Sequence, residues 1–176
     1  WLSDEDPVWA EQLGAGTEVN WPAGTVGGPG NEGVTANIAQ NPGGLGYVNQ
    51  SYAQVLELPQ ATVVNSDGNP IYPTSEATSA AIAQAEIPDD FQFDILGIGG
   101  DGYPIVGTVW NFYWECGYPG DTAEQLREFW SWAVRTGDQT AVELGYIPLS
   151  PELKERVLAA LERIGAQEPP PTGGAS

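Results

Sequence analysis

The fold is decided by Val19-Asn20-Trp21-Pro22-Ala23-Gly24, continued through Gly30-Asn31-Glu32-Gly33-Val34 to Gly44-Leu45-Gly46-Tyr47-Val48. Val19 to Trp21 reads as a short extended run stopped by Pro22. The glycines from Gly24 to Gly30 leave the loop backbone free to turn. Asn31 is a good helix cap, Glu32 sits in the first turn, and Val34 and Ile38 lie four apart on one face. Asn41-Pro42-Gly43 ends that helix, and Leu45 to Val48 resumes as a buried-type strand. The spacing predicts a strand–loop–helix–strand unit of about 30 residues.

Outward from this unit, bulk composition narrows the chemistry. The chain of 176 residues carries a formal charge of −19, and all five basic residues lie from Arg127 onward. Nucleic acid and anionic membrane surfaces are therefore poor partners. Histidine is absent and Cys116 is the single cysteine. Ser-His-Asp and Cys-His catalysis, His- and Cys-based zinc sites and an intrachain disulfide all fall away. Cys116 follows an apolar run and reads as a buried thiol. No apolar run approaches the ~20 residues of a membrane span, so no direct membrane insertion is expected.

Toward the N-terminus, Asp6-Pro7 reads as a helix start. Toward the C-terminus, Ser51 to Leu58 reads as a short helix. Thr62–Asn65 and Pro70–Pro73 read as extended segments around a Ser66-Asp67-Gly68-Asn69 turn. Thr74 or Ser75 caps an alanine-rich helix reaching about Ala85. Asp101-Gly102 is a turn feeding Ile105–Trp114, the strongest strand pattern in the chain, expected in a central, doubly covered position. Asp121 begins a helix with Leu126, Phe129, Trp130 and Ala133 at helical spacing and Trp130 in the core. Asp138 caps a second short helix. Ser150-Pro151 opens a third, with Leu153, Val157, Leu158, Leu161 and Ile164 on one face.

Gly28-Pro29-Gly30-Asn31-Glu32-Gly33 matches G-x-G-x-x-G after a strand and before a helix. Two of its residues argue against a dinucleotide. Glu32 occupies the first turn, where a pyrophosphate would sit, and Pro29 removes an amide. What survives is a weak anion-site candidate at Gly30 and Asn31, through backbone amides at the helix start. Glu115 and Asp121, which flank the end of the Ile105–Trp114 run, are the acidic pair on which a hydrolase reading would rest.

The ordered set of motifs resembles the C-terminal half of the phosphate-binding proteins of phosphate ABC importers, the periplasmic phosphate receptors. In that family a Val-Asn-Trp-Pro segment, a Gly-Asn-Glu-Gly-Val helix start and a Gly-Tyr-Val strand follow one another. Here Tyr103-Pro104-Ile105, Trp130 to Ala133 and Leu144-Gly145-Tyr146-Ile147-Pro148-Leu149 continue the match. The resemblance implies an α/β, class II periplasmic-binding-protein-like fold. On that pattern residues 1–103 are the latter part of the second lobe and residues 104–165 the returning segment of the first lobe. Residues 166–176 read as a disordered Pro/Gly-rich tail.

The resemblance also implies a function: a non-enzymatic, extracytoplasmic receptor (periplasmic, secreted or a surface lipoprotein) that delivers inorganic phosphate to the membrane subunits of an ABC permease. No cofactor, metal or catalytic residue is implied. The family holds phosphate with hydroxyls, backbone amides, an Asp and an Arg, part of them in an Arg-containing Ser-Gly-Thr segment. This chain has no such segment, so no family ligand is carried over onto it. The expectation is a fragment lacking the ligand-binding residues. The alternatives are a surface or structural protein that reuses the fold without ligand, and an acidic carbohydrate-active hydrolase.

Overall fold

The computed structural model describes residues 1–16 and 18–167. The chain divides into two compact units, Trp1–Gly107 and Thr108–Ser176. The expected tail, apart from Ala166 and Gln167, lies outside the described residues.

In the first unit, α1 (Leu2–Glu5) and α2 (Pro7–Gln12) meet at Asp6, whose carboxylate caps α2 by accepting from the amides of Val8 and Trp9. The long helix α3 spans Gly30–Gln40 and α4 spans Gln50–Val55. Strands β1 (Val63–Val64) and β2 (Pro70–Ile71) form an antiparallel hairpin in the register Val63–Ile71 and Val64–Pro70. Helix α5 (Ser75–Ile82) is capped by the Thr74 hydroxyl, which accepts from the Ala77 amide. Its buried face meets a small core of Ala81, Ile95 and Ile98, flanked by Ile82, Ala85, Phe93 and Val106.

The second unit holds α6 (Thr122–Thr136), α7 (Asp138–Glu143) and α8 (Pro151–Leu161). Ser150 caps α8 through the Leu153 amide. Leu153, Leu161 and Ile164 are buried, as the helical spacing predicts. Helix α6 packs against α7 and α8, yet none of its residues is fully buried. Trp130 is half-buried rather than core, and Phe129 and Trp132 are exposed.

The sheet content corrects the sequence reading. Among the described residues the hairpin β1–β2 is the only sheet. Val19–Trp21, Leu45–Val48 and Ile105–Trp114 are irregular rather than strands. Their β-branched and aromatic residues express a preference for a pleated, half-buried surface, which a ladder partner has to create. Backbone donors and acceptors in such a run form a strand only when a second run pairs with them. The hairpin forms because its turn brings its own partner.

Three cap assignments also shift. Pro29, not Asn31, precedes α3 at the cap position, so Asn31 is inside the helix. Gly137, not Asp138, caps α7. Asp121 stands at the cap of α6 without a side-chain hydrogen bond to it.

Candidate functional site

The start of α3 is where the sequence placed its anion candidates. Gly30 opens the helix with φ +64°. The Asn31 side chain faces the following segment, where its Oδ1 accepts from the Asn49 amide at 2.9 Å. The Asn31 carbonyl accepts from the hydroxyl of Thr35, which is buried in the helix face. The Tyr52 hydroxyl donates to Glu32 Oε1 at 2.9 Å. A backbone amide hydrogen bond first, and the Tyr52 hydroxyl second, hold the Glu32 carboxyl below the ordinary carboxylate range. The positive end of α3 thus already faces a carboxylate of its own chain.

Close packing accounts for Gly28 and Gly33. A Cβ on Gly28 would stand 2.5 Å from the Gly33 carbonyl carbon, and one on Gly33 would stand 2.4 Å from Pro29 Cδ. The loop therefore crosses the first turn of α3 backbone against backbone. Gly46 plays the same part for the next segment, since a Cβ there would meet Ile38 Cδ1 at 2.7 Å. Trp21 bridges the unit's aromatic residues, edge-on to Trp9 at 5.6 Å and stacked with Tyr47 at 6.0 Å.

A second polar constellation was not anticipated in the sequence. Asn65 is 5% exposed and organises both the β1–β2 turn and the loop Gly97–Gly102. Its Oδ1 accepts from the amides of Asp67 and Asn69 at 3.1 and 3.0 Å. Its Nδ2 donates to the carbonyls of Gly100 and Gly102 at 2.8 and 3.3 Å. The Ser66 hydroxyl donates to the Ile98 carbonyl at 2.7 Å, and Asp67 Oδ2 accepts from the Gly100 amide at 2.7 Å. From the other side Gln84 both donates to the Gly99 carbonyl and accepts from its amide, at 3.2 and 3.1 Å. The turn composition was legible; the pairing across some thirty residues was not, because nothing local in the sequence marks it.

In the second unit, Glu115 pairs with Arg163 and accepts from the Gln167 side chain. Lys154 pairs with Asp138, and Arg127 donates to the Ile164 carbonyl. These contacts give Glu115 a structural partner. Cys116 is half-buried and carries a free thiol. Among the described residues no group of three or more His, Cys, Asp or Glu is placed to hold a metal ion, and no helix is long and apolar enough to cross a membrane.

Comparison with known proteins finds similarity to phosphate-binding proteins. The chain is 34% identical over 164 residues to the phosphate-binding protein PstS of Xylella fastidiosa, a match covering 90% of this chain and 44% of that protein. Along about nine-tenths of its length the chain is similar to PstS phosphate-binding proteins. PstS of Methanocaldococcus jannaschii is 31% identical over 182 residues, with 93% of this chain and 47% of that protein covered. PstS of Pasteurella multocida is 29% identical over 162 residues, with 90% and 47% covered. The chain thus spans less than half the length of these PstS relatives. No protein-family model matches it. PstS relatives imply a periplasmic-binding-protein-like α/β fold, of which the described residues show the helices and little of the sheet. These relatives carry the name of binding proteins rather than enzymes.

Proposed function

We propose that this chain forms part of an extracytoplasmic receptor that binds inorganic phosphate and delivers it to the membrane subunits of an ABC permease. The observation that carries the reading is the sequence match to PstS proteins along about 90% of the chain. Residues 1–103 serve as the latter part of the second lobe and residues 104–165 as the returning segment of the first.

Phosphate in this receptor is held by residues other than those of this chain. A dianion taken out of water needs several charge-assisted donors. Residues 1–126 supply no cationic side chain, and Arg127, Lys154 and Arg163 are engaged by internal partners. Gly30 and Asn31 remain the weak anion candidates, with Glu32 competing for the same helix end.

Two proteins test this reading by equilibrium dialysis against labelled phosphate. The 176-residue chain alone is expected to show no saturable binding below about 1 mM. A chimera that joins it to the portion of the Xylella fastidiosa relative that it does not match is expected to bind at micromolar or tighter levels. A folded, monodisperse chimera that does not bind contradicts the receptor reading. Micromolar binding by the chain alone contradicts the placement of the donors and makes Gly30 and Asn31 the first positions to change.

A further inference from the structure

We propose that the first unit, Trp1–Gly107, is held folded by the salt around it, so that ionic strength sets the stability of this chain. The charge of the unit is of one sign. Of the 24 acidic residues, 14 precede Thr108, and residues 1–126 contain no Lys, Arg or His. Every one of those 14 acidic residues is exposed. The positive group in that stretch is the amino terminus, 3.9 Å from Asp4 Oδ2. Neutral donors reach Asp6, Glu32 and Asp67, but a hydrogen bond from an amide or a hydroxyl leaves the charge in place. The second unit differs. The remaining acidic residues share its sequence with all five basic ones, and Asp138 is paired with Lys154 and Glu115 with Arg163.

Like charges on one compact body repel, and unfolding moves them apart. A unit of this length has a radius of gyration of about 13 Å folded and about 30 Å unfolded. The Debye length is about 30 Å at ~10 mM salt and about 3 Å at ~1 M. In dilute salt each carboxylate therefore acts on the others across the whole folded unit. In concentrated salt it acts on near neighbours alone. The apolar core that opposes the repulsion is small: among the described residues, the buried apolar side chains of the unit are Ala53, Ala77, Ala81, Ile95 and Ile98. Protonation relieves the same repulsion, so a pH effect local to one carboxyl, such as that of Glu32, is read at the high-salt end. The inference does not rest on the phosphate reading, since its test reads stability and dialysis reads binding.

Urea unfolding of the 176-residue chain at neutral pH, in ~20 mM and ~1 M sodium chloride, is the test. A second protein carries Glu5→Gln, Glu11→Gln, Glu18→Gln, Glu86→Gln, Asp94→Asn and Asp101→Asn, at exposed positions outside the hydrogen bonds described above. Coulomb energy falls with the number of charge pairs, so this variant keeps about a third of the repulsion within the unit. The unaltered chain is expected to gain at least about 1 M in its urea midpoint between the two salts. The variant should gain less than half as much, start above the unaltered chain in dilute salt and converge with it at the high-salt end. Hydrogen exchange locates the effect: protection of the Gly100 and Gly102 amides should rise at least about tenfold more than that of Ala133 in α6. A midpoint of the unaltered chain that moves by less than about 0.3 M overturns the proposal. Equal gains in the two proteins overturn it as well, because salt would then be acting through apolar surface. So does a variant less stable than the unaltered chain in dilute salt, or equal gains in protection in the two units.

Discussion

Two neighbouring stretches of this chain meet opposite ends. The loop Gly97–Gly102 is a composition that ordinarily gives mobile connections, and it is pinned by Asn65, Ser66, Asp67 and Gln84. The run Ile105–Trp114 is the strongest strand pattern in the chain, and among the described residues it is irregular, with Trp110, Phe112 and Trp114 exposed. The loop finds its donors and acceptors on side chains of its own unit. The run needs a ladder and a second covering layer, and the described residues provide neither. Order here follows where hydrogen-bonding and packing partners lie, more than which residue types occupy a stretch.

The largest way to break the comparison is to remove the organiser of the ordered side. Asn65→Ala deletes four hydrogen bonds made by a buried amide and leaves backbone groups unsatisfied. It is expected to cost about 2–4 kcal/mol, read as a lowered urea midpoint. A loss under about 0.5 kcal/mol would mean that the loop holds without it.

Gly99→Ala probes the same region by overfilling it. The new Cβ would lie 2.3 Å from Asp67 Oδ2, a carboxylate already held by the Gly100 amide. The expected cost is about 1–2 kcal/mol. Asp67→Ala in the same molecule should recover part of it, so a double-mutant cycle with no coupling would place the strain elsewhere. Helix caps give a smaller reference effect. Thr74→Ala and Ser150→Ala each remove an acceptor for one amide and are expected to cost about 1 kcal/mol apiece in denaturant titrations.

The uncovered side should respond in the opposite sense. Phe112→Ser changes a side chain that touches little, so stability should stay within about 0.5 kcal/mol while solubility rises. A loss of 2 kcal/mol or more would show that Phe112 is packed in solution.

The smallest expected effect is the pH dependence of the helix starts. Backbone amide hydrogen bonds lower the pKa values of Glu32 and Glu76, with help from Tyr52 and Thr74 respectively. A carboxyl whose folded value is depressed adds stability above its unfolded value, and that contribution disappears as pH falls through the folded value. Unfolding midpoints should therefore drop on acidification through the carboxylate range. The double variant Glu32→Gln, Glu76→Gln should show a flatter profile, and identical profiles would count against these contacts. Both groups are fully exposed, so solvent screening keeps the effect small.

How much was legible follows the same division. Helices with local signals were read correctly: Asp6-Pro7, Thr74 and Ser150-Pro151 begin helices and cap them with their own side chains. The hairpin around Ser66–Asn69 was legible for the same reason, since a turn and its flanking residues are adjacent. The longer strands were read from side-chain type alone, and their pairing depends on partners far away in sequence. Asn31 was misread as a cap because the glycine and proline before it start the helix sooner. At the candidate site the loop, the helix and Glu32 in its first turn were expected, but the Tyr52 hydrogen bond to Glu32 and Asn65 joining two distant turns were not. Both depend on where a side chain arrives, which spacing along the chain does not specify.

Native-state hydrogen exchange, at a concentration low enough to keep the chain monomeric, tests the contrast most directly. The account predicts that the amides of Gly99, Gly100 and Gly102, held by Gln84, Asp67 and the Gly99 carbonyl, exchange at least about 100-fold more slowly than those of Val109, Asn111 and Phe112. Equal protection in the two stretches, or slower exchange in the apolar run, would contradict it.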